Sequence, residues 1–349
     1  MPGAPGAGLM IGRLGRVGIV QVAQRIADEV LFPAALSTDA SDIIPAGLLD
    51  ELAAAGLYGL AAPRDAGGLD ADFGTVCAVL EALASGCLTT AFVWTQHTGL
   101  VRALAMGGNP ELSAKWLAPL ARGEVRAGVA LGGALPKPTL LARPDPGAPG
   151  WRLDGVSPFV SGWGRVDVVH AAARTPDGQI VWLLVDAVTG PSVRAERLRL
   201  AALNATATVR VTFDQLHVPA ERVTGQHPAR GGTAPEVLRT HAAFALGVTA
   251  RCCRLLGPTP LDEELTAVRA QLDRLGPGTA AARGVAGELA LRAAATLMAT
   301  DGSRSLLVTE HGQRLGREAM FALVYALRPE SRTAVLATLG TSGPPGPLA

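Results

Sequence analysis

The sequence has few of the residues that mark several classes of protein. Only 4% of its 349 residues are aromatic and only 17% are charged. Its 31 Lys and Arg nearly balance 30 Asp and Glu, so the net charge of +1 offers no positive excess to attract nucleic acid or anionic lipid. Because 48% of the residues are apolar, a disordered or fibrous chain is also excluded. The composition predicts a globular protein whose apolar volume comes chiefly from Ala, Leu and Val.

Cysteine is scarce, and no pair has CxxC spacing. The four cysteines are Cys77, Cys87, Cys252 and Cys253. Residues 1–12 lack the charged start and apolar core of a secretory signal. We therefore expect reduced, buried thiols in a cytoplasmic protein.

The sequence also lacks a convincing membrane span and the common hydrolase motifs. Residues 82–101 carry no charge, but Ser, Thr, Gln and His interrupt them, which predicts a buried helical region and no membrane contact. There is no HExxH, no Cys/His cluster and no GxSxG. Neither a metal site nor a serine-esterase site is expected.

Apolar periodicity divides the chain into three parts. Spacings of three and four residues predict an N-terminal helical domain over residues 17–124 and a C-terminal helical domain over 233–340. Asn109-Pro110 predicts a helix start, and Gly276-Pro277-Gly278 and Gly302 predict helix breaks. Residues 1–16 and 341–349 are expected to be frayed ends.

The middle part, residues 125–228, has the pattern of a β domain. Short β-favouring runs are separated by turns such as Pro176-Asp177-Gly178, and they cover residues 151–156, 166–173, 180–185 and 206–213. We expect a compact antiparallel barrel or sandwich. The predicted fold is therefore α+β, with helices, then a small β domain, then a helical bundle.

Four strings in this order resemble the acyl-CoA dehydrogenase family over about residues 17–340. They are LAAAGLYGLAAPRDAGGLD from Leu52, KWLAPLARGE from Lys115, WRLDGVSPFVSGWGRVDVVHAAART from Trp151 and VTFDQLHVPAERVTG from Val211. The third string is similar to the family's "Leu-x-Gly-x-Lys-x-Trp-Ile-Thr-Asn" strand pair. The resemblance implies a flavoprotein in which FAD lies between the β domain and the C-terminal helices, with an acyl-CoA or acyl-carrier thioester against the ring.

The resemblance also implies positions for the cofactor. The family's Trp-Ile-Thr segment, which covers the flavin ring, falls on Phe159, Val160 and Ser161, and this keeps an aromatic face and a hydroxyl. Barrel packing is the alternative role for Phe159. Another flavin segment falls on Leu131, Gly132, Gly133 and Ala134, where the usual hydroxyl is lost but glycine still permits close backbone approach.

A basic arm that holds the cofactor pyrophosphate of a neighbouring subunit in the family is missing here. Arg251 or Arg254 could replace its charge, although each is expected to be a solvated helix residue.

The usual catalytic glutamate of the family is replaced by Ala326, which follows Tyr325. A second family position for this base falls on Val237, with Glu236 one residue away. A helix-terminal acid without catalytic role is the alternative for Glu236. His97 at the end of an N-terminal helix could also act as base or donor, with a buried structural histidine as its alternative.

Three functions follow from the resemblance. The first is FAD-dependent α,β-dehydrogenation of an acyl thioester with a displaced base, with Glu236 and His97 as the catalytic candidates. The second is a non-catalytic subunit of a heteromeric acyl-CoA dehydrogenase. The third is a flavin-dependent oxygenase of the same fold that uses His97. A homo-oligomer, or a hetero-oligomer with a homologue, is expected in each case, and the sequence does not identify the electron acceptor.

Overall fold

A computed structural model describes residues 16–229 and 231–340. The predicted N-terminal segment lies outside them except for Arg16, and the predicted tail at 341–349 lies wholly outside them. Within the described residues the order is helices, sheet, helices, so the predicted α+β class is confirmed.

From residue 16 onward, six α-helices precede the sheet: α1 (Arg16–Ile26), α2 (Phe32–Asp39), α3 (Ala46–Ala54), α4 (Phe73–Gly86), α5 (Leu88–Ala105) and α6 (Pro110–Ala121). The Asn109 side chain caps α6 by accepting the Leu112 N–H at 3.1 Å, as the Asn-Pro pair predicted. The uncharged stretch, residues 82–101, forms the end of α4 and most of α5 and is mostly buried, as predicted. Among the described residues, no helix is long and apolar enough to cross a membrane.

The sheet has eight strands: β1 (Ala127–Ala130), β2 (Leu140–Pro144), β3 (Gly150–Val160), β4 (Val168–Arg174), β5 (Gln179–Asp186), β6 (Val193–Arg197), β7 (Val209–Pro219) and β8 (Val223–Pro228). Their order is β6-β7-β3-β2-β4-β5-β8, and β1 pairs with β4. The sheet is mixed rather than wholly antiparallel, because β1 and β2 both run parallel to β4.

Five helices follow: α7 (Pro235–Leu256), α8 (Pro260–Asp273), α9 (Thr279–Asp301), α10 (His311–Val324) and α11 (Pro329–Thr338). The predicted breaks at residues 276–278 and at Gly302 fall between α8 and α9 and at the end of α9. One apolar core joins both helical parts, with α4 packed on α7. At this contact a Cβ on Gly247 would lie 2.6 Å from the Glu81 carbonyl oxygen, so the close approach requires glycine. A separate core lies within the sheet.

Candidate functional site

The end of strand β3 carries an exposed aromatic ring and, two residues later, a buried hydroxyl. The register between β3 and β7 shifts between Ser157 and Val160, which breaks the regular alternation of side chains. Phe159 is consequently 65% exposed, while Val160 and Ser161 are buried. This places an uncovered aromatic face at the sheet, next to a hydroxyl held inside it.

A turn after β1 lies against the same strand. Leu131 in this turn is 39% exposed, whereas Gly132 and Gly133 are buried. A Cβ on Gly132 would lie 2.5 Å from the Val156 carbonyl oxygen, and one on Gly133 would lie 2.4 Å from the Ala173 Cα. The chain's own strands therefore require both glycines, independently of any cofactor. A direct role of these glycines toward flavin stays a prediction.

Three buried hydroxyls form a chain that sequence reasoning missed. Ser161 Oγ lies 2.8 Å from Thr208 Oγ1, which lies 2.7 Å from Thr206 Oγ1. Thr206 Oγ1 in turn donates to the Leu203 carbonyl at 2.8 Å. The predicted strand over residues 206–213 begins only at Val209, because Leu203 and Ala207 both adopt left-handed backbone angles. The alternating threonines of NATAT were the only signal in the sequence.

The loop between α10 and α11 holds the position that the resemblance gives to the catalytic base. Ala326 is exposed and has a φ of 50°, a left-handed conformation that costs a non-glycine residue about 1–2 kcal/mol. Buried Arg283 donates to the carbonyl of Tyr325, which fixes the loop at this point. Arg328 donates to the Ala134 carbonyl at 3.2 Å, so this loop and the turn after β1 meet.

Tyr325 lies in a cluster of rings between helices α5, α7 and α10. Its ring centroid is 5.0 Å from Phe92, 5.7 Å from Phe244, 5.3 Å from Phe321 and 4.9 Å from His241. Burial raises the pKa of Tyr325 to about 12, although a hydrogen bond with Gln96 opposes this shift. Tyr325 is therefore a neutral phenol, and the cluster provides an apolar wall beside Ala326.

Glu236 lies in the exposed first turn of α7. His241 on the same helix contacts Tyr325, and Val237, four residues earlier, shares its face. A one-residue step rotates a side chain by about 100°, so Glu236 lies to one side of that face. Burial, followed by the charges of Arg283 and Arg328, lowers the pKa of His241 to about 3. A catalytic role for Glu236 stays a prediction.

His97 is buried where α5 meets the start of the sheet. Its Nδ1 accepts the Ala127 N–H at 3.1 Å, and its ring packs edge-on against Tyr58 at 4.8 Å. Burial lowers the pKa of His97 to about 3, so the imidazole is neutral. These contacts give the ring a structural role. A catalytic role for His97 stays a prediction to which the geometry adds no support.

Arg251 and Arg254 are committed to contacts within the chain. Arg251 is buried, donates to Asp28 and to the Ser85 carbonyl, and places its guanidinium 4.0 Å from the Phe32 ring centroid. Arg254 donates to Ser85 Oγ at 2.6 Å. The expectation that Arg251 is solvated was wrong, because these partners draw it into the helix contact. The buried Arg251 guanidinium is not free for a pyrophosphate, whereas Arg254 is exposed, as expected.

The chain is similar to known proteins along most of its length. Residues 17–124 match the model of the acyl-CoA dehydrogenase N-terminal domain. The short-chain specific acyl-CoA dehydrogenase of Clostridium acetobutylicum is 23% identical over 246 residues, which are 66% of this chain and 62% of that protein. The chain thus spans less than two thirds of the length of this relative.

Solved structures share the fold more completely. Butyryl-CoA dehydrogenase from Megasphaera elsdenii has a TM-score of 0.80 at 18% identity, covering 93% of this chain and 98% of that one. A structure described as the FAD complex of PigA has a TM-score of 0.77 at 19% identity, covering 94% and 98%. The domain match, the relative and the shared fold agree with the four sequence strings. The chain therefore resembles the acyl-CoA dehydrogenase family, with a match to its N-terminal domain over residues 17–124 and a shared fold.

Proposed function

We propose that the chain is an FAD-dependent oxidoreductase that acts on an acyl thioester. The observation that carries this proposal is the exposed Phe159 ring close in sequence to the hydrogen-bonded Ser161 hydroxyl at the end of β3, with exposed Leu131 in the turn whose Gly132 packs on β3. The resemblance to the family and the FAD complex of a structural neighbour support the same cofactor.

The residues at this surface fit a flat, partly apolar ring. Phe159 and Leu131 offer apolar surface for stacking and packing, and Ser161 offers a hydroxyl oxygen. When bound, flavin supplies the hydride acceptor for oxidation of a carbon–carbon bond. The segment from Leu131 to Ala134 would hold its edge through the backbone.

Removal of a proton next to the thioester carbonyl is the step that this chain supports least. The methyl side chain of Ala326 cannot accept a proton, and Tyr325 beside it is a neutral phenol. Glu236 is the carboxylate proposed for this work, because it lies in the first turn of the helix that contacts Tyr325. A well-positioned general base contributes roughly 10²–10⁴-fold to the rate. Because Glu236 is exposed and lies to one side of the α7 face that contacts Tyr325, we expect slow turnover.

A visible absorption spectrum of the purified chain tests the proposal. We expect a yellow protein whose flavin absorbance is bleached anaerobically by a saturated acyl-CoA. Glu236→Gln should slow bleaching without releasing flavin, and Glu263→Gln on the exposed face of α8 is its control. A colourless chain that takes up no added FAD would refute the proposal.

A second candidate is a non-catalytic subunit paired with a competent homologue. The burial of Arg251 against Asp28 and Ser85 favours it, because this arginine cannot supply positive charge to the cofactor pyrophosphate. This candidate predicts that the chain retains FAD only when mixed with its partner. The oxygenase alternative depended on His97, whose contacts with Ala127 and Tyr58 add nothing to it.

Association with a second chain is part of either proposal. The C-terminal helical part exposes a group of apolar side chains: Leu306, Leu307, Val308, Met320 and Val324. Such surface is suited to a homo-oligomer or a hetero-oligomer. Light scattering of the purified chain would measure its oligomeric state. We also propose that the protein is located in the cytoplasm.

A further inference from the structure

The three-hydroxyl chain behind Phe159 is the most constrained polar feature near the proposed flavin surface. All three of its members are buried. Thr206 lies in a loop, residues 203–207, that has left-handed backbone angles at both ends, at Leu203 and Ala207, and Thr208 follows it directly. Left-handed non-glycine residues persist only where the surroundings impose them, and they concentrate at functional sites.

The loop is fixed from three sides. The Ile44 N–H donates to the Ala205 carbonyl at 2.9 Å, and the Gly162 N–H donates to the Thr206 carbonyl at 2.7 Å. Arg197 donates to the Asn204 carbonyl at 2.6 Å. The side chains of Leu203 and Ala205 enter the helical core. The threonine hydroxyls are therefore held rigidly against the end of β3.

The hydrogen bonds of the chain have one direction. A hydroxyl donates one hydrogen bond, and a carbonyl only accepts. Thr206 gives its proton to the Leu203 carbonyl, so Thr208 must donate to Thr206, and Ser161 must then donate to Thr208. The proton of Ser161 is used inside the protein. Its oxygen keeps only acceptor capacity for a ligand.

We infer that Thr206 and Thr208 are positioning residues that hold the Ser161 hydroxyl as a hydrogen-bond acceptor toward the flavin. This inference rests on the proposed function. Reduction adds a proton to a flavin ring nitrogen that is a bare acceptor in the oxidised ring. An acceptor at Ser161 stabilises the reduced ring, whereas a donor would stabilise the oxidised ring. The chain of hydroxyls thus raises the flavin midpoint potential.

The test is the midpoint potential of the flavin-loaded protein, measured by equilibration with reference dyes. In Thr208→Val, Ser161 loses its acceptor and turns its proton toward the ring. We expect reduction to become about tenfold less favourable, which is about 30 mV for a two-electron couple. Thr208→Ser should restore the potential, and Thr212→Val, in strand β7 just after Thr208, should leave it unchanged.

Two further measurements keep the inference falsifiable. Thr206→Val breaks the chain one link further back and should shift the potential in the same direction if Thr208→Val does not fold. With an FAD analogue that has carbon in place of the protonated ring nitrogen, wild type and Thr208→Val should not differ. A yellow Thr208→Val protein with the wild-type potential overturns the inference alone. A chain that binds no FAD overturns it together with the proposed function.

Discussion

Placing a carboxylate at residue 326 is the sharpest perturbation that the site offers. Ala326 already adopts the left-handed conformation, with its cost of about 1–2 kcal/mol, so Ala326→Glu adds no new backbone strain. Because residue 326 is exposed, the carboxylate also has no large desolvation cost. If the acyl thioester binds beside this loop, the new base should accelerate flavin reduction by roughly 10²–10⁴-fold.

The assay is anaerobic stopped-flow bleaching of the flavin by a saturated acyl-CoA. Ala326→Gln has nearly the same shape without the charge and is the matched control. Ala326→Gly removes the backbone strain and should raise the free energy of unfolding by about 1 kcal/mol without affecting the bleaching rate. Equal rates for the Glu and Gln variants, with flavin bound in both, would refute the placement of the substrate beside Ala326.

Three other predictions address the rest of the site. Gly133→Ala should lower the free energy of unfolding of the flavin-free protein by about 1–3 kcal/mol, because the new Cβ would overlap Ala173. Gly47→Ala is the control and should raise the free energy of unfolding, because a Cβ on Gly47 meets open space. A Gly133→Ala variant of unchanged stability in chemical denaturation would contradict this packing. The pKa of His97 is about 3 in the folded protein and 6.5 in the unfolded chain, so its contribution to stability is present above about pH 6.5 and is lost as the pH falls toward 3. His97→Gln should therefore reduce the slope of unfolding free energy against pH in this range by up to about 1.4 kcal/mol per pH unit. Parallel curves for the wild type and the variant would disprove this prediction. Phe159→Ala should weaken FAD binding in equilibrium titration. It should change the stability of the flavin-free protein by less than about 0.5 kcal/mol, because the ring is exposed. An unchanged affinity for FAD would show that Phe159 does not contact the flavin.

The features that could be predicted from the sequence are those set by residues close together along the chain. Apolar periodicity identified the two helical parts, and the Asn109-Pro110 pair identified a capped helix start. Strands β1, β2, β6 and β8 were missed because each is short, and β2 also lies within a segment rich in Pro and Gly. The parallel pairing of β1 with β4 was also missed, because pairing partners are distant in sequence.

The candidate site was only partly predictable for a different reason. Phe159 and Ser161 were predicted as site residues because a family pattern passes through them, and this assignment stays a prediction. The roles of Thr206 and Thr208 depend on two left-handed residues, Leu203 and Ala207, that local propensity does not favour. Arg251 has the same sequence signature whether it is solvated or buried. Only tertiary contacts with Asp28 and Phe32 decide its environment.

The proposed flavin-binding residues near Ser161 are held by more hydrogen bonds than the proposed acid–base residues near Ala326. This difference bears on the choice between an enzyme and a non-catalytic subunit. The half at the end of β3 carries strained backbone at two positions and a fully directed chain of hydroxyls at Ser161. The acid–base half has an alanine at residue 326 and an exposed carboxylate at Glu236. A subunit that served only as scaffold would gain nothing from a fixed acceptor behind Phe159. We therefore prefer the proposal of a chain that holds flavin and tunes its reduction, with proton removal as its limiting step.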